Sequence, residues 1–281
     1  MIKAYTVEDV RNNVKEWKKQ GLSVGFVPTM GYLHEGHASL IERAAAENDK
    51  VVVSVFVNPI QFGPTEDLES YPRDFEADCV LCEKMGADLV FHPENEEMYF
   101  DDFCTFVDIN TLSEVLCGKT RPIHFRGVCT VVSKLFNIVA PDKAYFGQKD
   151  AQQLAIIKRM VRDLNFDIEI IGCPIIREDD GLAKSSRNTY LNPQERAAAV
   201  ILSKAIFTGQ KMVKEGIKDA LTVKATMMAI LKSEPLANVE YVEMVDFGTL
   251  QDVETINGPI LTAIAVRIGK TRLIDNFIYR L

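Results

Sequence analysis

Two histidines three residues apart, His34 and His37, stand in a glycine-marked turn that follows the apolar run Ser23 to Val27. Gly31 and Gly36 in this turn let the backbone approach a ligand closely. A helix that begins near His37 presents free N–H groups and the positive end of its dipole, which both favour phosphate oxygens. Imidazoles beside it can donate hydrogen bonds to a transferring phosphate. The turn therefore predicts phosphate chemistry, against the alternatives of capping or surface histidines and of a zinc ligand pair with no evident third ligand.

Amide and charged side chains follow two further apolar runs. Asn58 and Gln61 come after the run 51–57 and offer amide groups that can orient a polar uncharged ligand; an ordinary Asn-Pro turn is the alternative. Lys149 and Asp150 follow a strand and a glycine, and can bind a phosphate and either a ribose hydroxyl or Mg²⁺. Gln153 lies one helical turn later and is expected to face the same end of the strand. The alternative for this group is a capped helix with a solvated lysine.

A polar loop from Ile176 to Asn188 is the fourth candidate. Its segment Ser185-Ser186-Arg187 combines two hydroxyls with a cation, which suits a phosphate clamp that closes over a nucleotide. An interdomain linker is the alternative interpretation. Ligands of open parallel sheets bind beyond the carboxyl ends of the strands, so the position of all four candidates at such ends favours one shared site.

A parallel sheet is needed to position these candidates, and the sequence predicts one. Apolar β-branched runs alternate with helical periodicity, a pattern typical of βαβ units. The predicted strands are Ser23–Val27, Val51–Val57, Ala87–Phe91, Thr105–Ile109, Lys143–Phe146, Asp167–Gly172, Val239–Asp246, Ile260–Ile268 and Thr271–Asn276. The predicted helices are Val7–Gln20, His37–Asn48, Arg73–Met85, Val128–Val139, Ala151–Leu164, Pro193–Glu215 and Asp219–Ser233. We expect an α/β fold: a Rossmann-like doubly wound parallel sheet in residues 1–176, and a smaller C-terminal α+β domain in residues 177–281.

Charge and cysteine content restrict the class of protein. A net charge of −8 over 281 residues argues against nucleic acid or an anionic membrane as a partner, because excess Lys and Arg hold such partners. No apolar run approaches the roughly 18 residues of a membrane span, and the first residues lack the apolar core of a signal peptide, so we expect a cytoplasmic protein. The six cysteines, including Cys79-x-x-Cys82, are expected to be free thiols and not a metal or redox site, since no second ligand pair lies at suitable spacing.

The motifs together resemble the pantothenate synthetase (pantoate–β-alanine ligase) family, within the nucleotidyltransferase superfamily that carries a His-x-Gly-His turn. The resemblance runs from Val27 to Leu191 and is dense. Four motifs stand in the family's order: Pro28-Thr29-Met30-Gly31-x-x-His34-x-Gly36-His37, Phe56-Val57-Asn58-Pro59-x-Gln61-Phe62, Phe146-Gly147-Gln148-Lys149-Asp150 and Ser185-Ser186-Arg187-Asn188.

This resemblance implies a two-step reaction, in which ATP activates pantoate as pantoyl-adenylate, and β-alanine then displaces AMP. It implies His34, His37 and Lys149 as catalytic residues, with His37 as the expected acid. It places pantoate at Gln61 and Gln153, and β-alanine near Gln61. The implied ATP-binding residues are Met30, Gly31, Tyr32, Leu33, His34, Glu35, Gly36, His37, Gly147, Gln148, Lys149, Asp150, Ile176, Lys184, Ser185, Ser186 and Arg187. Mg²⁺ is the implied counter-ion of the triphosphate.

The resemblance also implies a homodimer and a hinged C-terminal domain that acts as a lid. Lys184 departs from the family pattern, which has an apolar residue such as methionine before Ser-Ser-Arg. If this position binds ATP through its backbone, the change has little effect, whereas its side chain would add a cation for phosphate.

Two other functions fit the same turn. A nucleotidyltransferase that moves AMP or CMP onto a phosphate-bearing substrate would leave a stable nucleotide product; the amide-rich Asn58, Gln61 and Gln153 set, without extra cations for a substrate phosphate, argues mildly against it. A catalytically inactive binding protein on the same fold is the second; retention of both histidines, Lys149 and Arg187 argues against that. A fragment of a class I aminoacyl-tRNA synthetase is disfavoured, because no basic RNA-binding domain is appended.

Overall fold

Two β-sheets organise the chain in this computed structural model, which describes residues 1–64 and 66–280. The larger sheet contains β1 (Ile2–Ala4), β2 (Val24–Thr29), β3 (Lys50–Val55), β4 (Leu89–Phe91), β5 (Lys143–Gly147) and β6 (Glu169–Cys173). Its strand order is β1-β4-β3-β2-β5-β6, and all of its pairs are parallel. The smaller sheet contains β7 (Ala237–Asp246), β8 (Ile260–Ile268) and β9 (Thr271–Tyr279), which are antiparallel.

The order in which successive strands are added to the large sheet changes direction between β2 and β5. From β2 the connections proceed outward to β3 and β4, while β5 lies on the other side of β2 and leads to β6. Such a reversal opens a crevice at the carboxyl ends of the two strands, where α/β proteins bind ligands. The turn after β2 carries the two histidines, and the turn after β5 carries Lys149.

Ten helices are described alongside the sheets: α1 (Val7–Lys19), α2 (Glu35–Glu47), α3 (Phe75–Lys84), α4 (Asn95–Met98), α5 (Cys117–Thr120), α6 (His124–Val139), α7 (Ala151–Asp163), α8 (Pro193–Ala199), α9 (Ile201–Lys214) and α10 (Ala220–Lys232). Strand residues alternate between the two faces of the large sheet. Phe26 and Val52 pack with α1, α6 and α7, whereas Val27 and Val53 pack with α2 and α3. The strands are therefore buried on both sides, as their nearly continuous apolar sequence predicts.

The small sheet lies between two layers. Ile264 of β8 faces the core formed by α9 and α10, whereas its neighbours Leu261 and Ala263 belong to the core that also contains α6 and α7. Ile268 pairs with Thr271, so Gly269 and Lys270 form the turn of a hairpin between β8 and β9. The small sheet is thus joined to the large one by direct apolar packing.

The expected α/β fold is confirmed, but two predicted elements are wrong. The segment Thr105–Ile109 has strand-like sequence and forms no strand, because no neighbouring strand in the described part of the chain supplies a hydrogen-bonding ladder; the Val107 N–H donates to Thr130 Oγ1 instead. The predicted helix Pro193–Glu215 is interrupted at Val200. The φ of −61° and ψ of −20° at this residue are those of a 3₁₀ turn, so the regular α-helix breaks there. β1 was not predicted at all.

Candidate active site

The histidine turn has an unusual backbone that a buried carboxylate holds in place. Gly31 and Tyr32 both have positive φ, +83° and +50°, so the chain reverses sharply after β2. The carboxylate of Asp78 on α3 accepts the Tyr32 N–H at 2.9 Å and the Leu33 N–H at 2.6 Å. A Cβ on Gly31 would lie 3.0 Å from the Asp78 carboxylate and 2.9 Å from Val55. Only glycine therefore fits at position 31 without displacing this clamp.

Backbone contacts fix the orientation and tautomer of both imidazoles. His34 is the N-cap of α2, and its Nδ1 accepts the Gly36 N–H at 3.1 Å. The Nδ1 of His37 accepts the His34 N–H at 3.2 Å. A neutral imidazole with an accepting Nδ1 carries its proton on Nε2. Both rings, whose centroids are 4.1 Å apart, therefore carry an Nε2–H donor.

Burial and a nearby cation keep these rings neutral. Burial lowers the pKa of His34 to about 4, and the nearby Lys149 ammonium acts in the same direction. Burial also holds the pKa of His37 well below its ordinary value, with His34 and Lys149 adding to the effect. At neutral pH the turn therefore offers neutral hydrogen-bond donors beside the positive charge of Lys149.

A directed chain of hydrogen bonds orients Gln61, which ends a 3₁₀ turn. The Tyr99 hydroxyl donates to Asn58 Oδ1 at 2.7 Å, and Asn58 Nδ2 donates to Gln61 Oε1 at 2.9 Å. Gln61 Nε2 is left to point toward Met30, 3.1 Å from its sulfur. His124 Nδ1 contacts the backbone oxygen of Gln61 at 3.1 Å and fixes the turn from the other side. Gln61 therefore presents a donor, not an acceptor, to the region beside the histidine turn.

The polar loop after β6 reaches the same region. Ser186 Oγ donates to the Tyr32 carbonyl at 3.4 Å, and the Lys184 N–H donates to the Ile176 carbonyl at 3.0 Å. Arg187 makes a bidentate ion pair with Asp67, with both distances 2.9 Å. Although burial opposes it, this guanidinium lowers the pKa of the Asp67 carboxyl. Arg187 is therefore oriented by a carboxylate before any ligand binds.

Lys184 does not extend freely toward the cavity. Its ammonium lies 2.7 Å from Glu178 and 3.1 Å from Glu35 at the start of α2. The side chain ties the loop to the first turn of α2, and its charge is balanced locally.

A cavity of about 230 Å³ brings most of the predicted residues together. Those that line it are Met30, His34, Gly36, His37, Gln61, Gly147, Lys149, Asp150, Gln153, Ile176, Lys184, Ser185, Ser186 and Arg187. Gly31, Tyr32, Leu33, Glu35 and Gln148 stand in the same turns without lining it. The cavity adjoins a cleft of about 880 Å³ between the two sheets, whose walls include Lys149, Asp150, Gln153 and Arg187.

Sequence reasoning missed several contributors. Arg121 and His124 line both the cavity and the cleft, and Arg121 pairs with Glu66. Asp78 was also missed. An acidic residue on the apolar face of the helical pattern of α3 is a sequence signal that could have identified it. The last omission is an apolar wall of the cavity, formed by Phe56, Val128, Val131, Val132 and Leu135. Its helical spacing is that of an ordinary core face, so the sequence carries no separate signal for it.

Comparison with known proteins identifies the family of the chain. The sequence profile of the Pantoate-beta-alanine ligase family matches residues 3–278. The chain belongs to this family. The pantothenate synthetase of Ruminiclostridium cellulolyticum is 66% identical over 97% of this chain and 96% of its own length. That of Enterococcus faecalis is 62% identical over 98% of both chains. The pantoate-beta-alanine ligase family is one of amide-bond-forming ligases, so the chain is such a ligase.

Solved structures of the pantoate-beta-alanine ligase family have the same fold. The pantothenate synthetase of Thermus thermophilus superposes with a TM-score of 0.94 at 44% identity, covering 99% of each chain. The Francisella tularensis ligase, crystallised with beta-gamma ATP and beta-alanine, gives 0.80 at 34% identity and covers 99% of this chain and 97% of its own. Within residues 1–64 and 66–280, none of the helices has the length and hydropathy to cross a membrane.

Proposed function

We propose that the cavity catalyses the ATP-dependent condensation of pantoate with β-alanine through a pantoyl-adenylate. One observation carries this proposal: the two Nε2–H donors of His34 and His37, set by backbone contacts, border a cavity that Lys149 and Gln61 also line. Donors fixed in advance stabilise charge that develops in a transition state without reorganising when the reaction occurs.

In the first step a pantoate carboxylate oxygen attacks the α-phosphorus of ATP, and the bond from that phosphorus to the leaving pyrophosphate breaks. Negative charge grows on the phosphoryl oxygens and on the leaving pyrophosphate. The neutral imidazoles of His34 and His37 donate to those oxygens, and Lys149 supplies the positive charge. The N-terminus of α2 and the Ser185-Ser186-Arg187 loop complete the nucleotide site.

Pantoate combines two methyl groups with two hydroxyls, and the cavity has surfaces for both. The wall of Val131, Val132 and Leu135 suits the methyl groups, while Gln61 Nε2 and the amide of Gln153 suit the oxygens. In the second step the β-alanine amine attacks the acyl carbonyl near Gln61, and AMP leaves. Arg121, which borders both the cavity and the cleft, is the nearby cation that suits the β-alanine carboxylate.

Mg²⁺ fits the site as a companion of the triphosphate. Mg²⁺ in nucleotide sites is held by substrate phosphates and one or two carboxylates. Asp150 lines the cavity and the cleft, and the cation paired with its carboxylate is Lys149 at 4.0 Å. Bound there, Mg²⁺ supplies charge neutralisation of the triphosphate, while Asp150 is the carboxylate of this chain that would hold it.

The decisive experiment is isotope exchange between ATP and pyrophosphate without any amine. We expect exchange that requires pantoate, and stoichiometric AMP only after β-alanine is added. Exchange that occurs equally with lactate or malate, or that fails with pantoate, would refute the substrate assignment. A stable nucleotide-containing product would instead favour the nucleotidyltransferase alternative.

The assembly and location proposed for the chain rest on separate features. Phe106, 40% exposed, lies within residues 103–109, and Phe100, 70% exposed, precedes them; these residues have no partner strand in the described part of the chain. Pairing of this segment with its copy in a homodimer would supply the ladder that the predicted strand Thr105–Ile109 requires. Light scattering checks the expected dimer. The six free cysteines, with Cys104 exposed, suit the reducing cytoplasm.

The C-terminal residues 177–281 are proposed to act as a lid. The large cleft lies between the two sheets, so a change in their separation would open or close the nucleotide site. We place the boundary at 176–177, where the chain leaves the large sheet and enters the Ser185–Arg187 loop.

A further inference from the structure

Two adjacent residues of β9, Asp275 and Asn276, contact both sides of the nucleotide site. They are 1% and 4% exposed, and neither lies in a motif that the sequence singled out. Adjacent strand residues point to opposite faces of a sheet. Asp275 is opposite Ile264 and faces the α9 side, whereas Asn276 is opposite Ala263 and faces the large domain.

Asn276 connects the small sheet to the turn that carries Lys149. Its Nδ2 donates to the carbonyls of Gln148 at 3.0 Å and Lys149 at 2.8 Å. A side-chain amide has two N–H protons, so the two carbonyls use its whole donor capacity. These carbonyls lie immediately before α7, where the backbone direction sets the direction of the Lys149 side chain.

Asp275 anchors the base of the nucleotide loop. Its carboxylate receives two hydrogen bonds from Arg177, at 2.7 and 2.9 Å. The same guanidinium donates to the Gly181 carbonyl at 2.9 Å and stacks over Phe207, 4.9 Å from its centroid. Arg177 also pairs with Ala183 in a backbone bridge, which leads directly into Lys184 and Ser185. The position of this loop therefore depends on the Asp275 carboxylate.

We propose that Asp275 and Asn276 are positioning residues that link the location of the small domain to the geometry of the adenylation site. Both contacts originate from one short segment of one strand. Movement of β9 away from the large domain breaks the Asn276 contacts and carries the Asp275-anchored loop with it. The positions of Lys149 and of the Ser185–Arg187 loop therefore both depend on the position of β9. The inference rests on the proposed function, because its consequence is measured in the pantoate-activation step.

The test compares Asn276→Asp and Asn276→Ala with wild type in pantoate-dependent pyrophosphate exchange. Asn276→Asp keeps the shape of the side chain but replaces the amide nitrogen, which donates to both carbonyls, by an oxygen that faces them. Asn276→Ala removes the donors without adding charge, so it remains informative if the aspartate variant does not fold. We expect kcat of exchange to fall by about a hundredfold, as for other roughly 1 Å displacements of catalytic groups. The KM for pantoate should change less than about threefold, because Gln61 and the apolar wall are not attached to β9.

Thr262→Val is the matched control on the same sheet. Thr262 is fully buried on β8, and its hydroxyl has no hydrogen-bond partner in the described structure. It lies between Leu261 and Ala263, so its side chain faces the α9 and α10 side, away from the large domain. This isosteric change should leave exchange kinetics unchanged.

Hydrogen exchange supplies a readout that a general loss of stability would not imitate. Asn276→Ala should accelerate amide exchange in residues 147–151, and Asp275→Asn should accelerate it in residues 177–187, with the core strands β2 and β3 unaffected. Folded Asn276 variants with kcat within threefold of wild type, or with a raised KM for pantoate at unchanged kcat, overturn the inference. Absence of pantoate-dependent exchange in the wild type would instead refute the proposed function itself.

Discussion

Gly127 on α6 gives the most demanding test of the proposed pantoate site. A Cβ at this position would lie 2.5 Å from both the Gln61 Cα and the Ile60 carbonyl oxygen, and 2.7 Å from the Gln61 nitrogen. These are backbone atoms, so no side-chain rotation relieves the contact. Ordinary contact begins near 3.4 Å, so Gly127→Ala must displace the Gln61 turn by roughly 0.9 Å.

The effects of Gly127→Ala on stability and activity should differ strongly. Overpacking costs about 1–3 kcal/mol, but alanine is better than glycine in a helix interior by about 1 kcal/mol. The free energy of unfolding should therefore fall by about 0–2 kcal/mol, and the fold should survive. A displacement of roughly 1 Å in a substrate-positioning group costs about a hundredfold in rate. We expect a loss of that size in pantoate-dependent exchange, together with a raised KM for pantoate.

Urea unfolding and pyrophosphate exchange at varied pantoate concentration measure the two effects. Gly258→Ala is the matched control, since a Cβ there meets nothing within 4 Å and the backbone φ is not positive. A Gly127→Ala variant with wild-type kcat and wild-type KM for pantoate would show that the Gln61 turn does not position the substrate. Equal losses in the two alanine variants would point to an effect unrelated to the contact.

Four further predictions concern the histidines and lysines of the site. His37→Ala should slow adenylate formation by about a hundredfold, measured in single-turnover reactions, because it removes a preset donor; an unchanged rate in folded protein would exclude this role. The acid limb of activity should lie well below pH 6, because burial and Lys149 lower the pKa of His34 to about 4 and the neutral donor persists until that pKa is approached. Lys149→Met should raise the pKa of His34 measured by NMR only part of the way to 6.5, since burial is the larger cause. Lys184→Met should change the KM for ATP by less than about threefold, because the Lys184 ammonium is already paired with Glu35 and Glu178 and a phosphate would have to compete with both carboxylates.

The sequence predicts the large sheet well because its strands have a strong and simple signal. Residues 51–57 and 143–146 are almost entirely apolar, which indicates burial on both faces, and a turn residue follows each run. That pattern also locates the ligand crevice, since the carboxyl ends of the strands follow from the chain direction. The segment Thr105–Ile109 has the same kind of composition and forms no strand. Strand formation depends on a neighbour that local sequence does not specify.

The sequence also identified the side chains of the cavity better than the contacts that orient them. Lys149 and Gln61 were found because a charged or amide residue after a glycine- or proline-marked turn is conspicuous. The Asn276 contact to the Lys149 turn spans 127 positions along the chain. The clamp of Asp78 on Leu33 spans 45. Neither contact has a local pattern, because tertiary folding brings the partners together.

The cations of the site differ in what they can offer to a nucleotide. Arg187, Lys184 and Arg121 each lie within 3.1 Å of a carboxylate, so a phosphate must compete with or share an existing ion pair at each of them. Lys149 is 4.0 Å from Asp150, a longer and weaker pairing, and its charge already acts on both histidines. Lys149 can therefore bind phosphate at the smallest cost in lost interactions. The neutral Nε2–H donors lose no counter-ion when phosphate binds. Transition-state stabilisation should thus depend on Lys149 and the two imidazoles, while the paired arginines mainly orient the substrates.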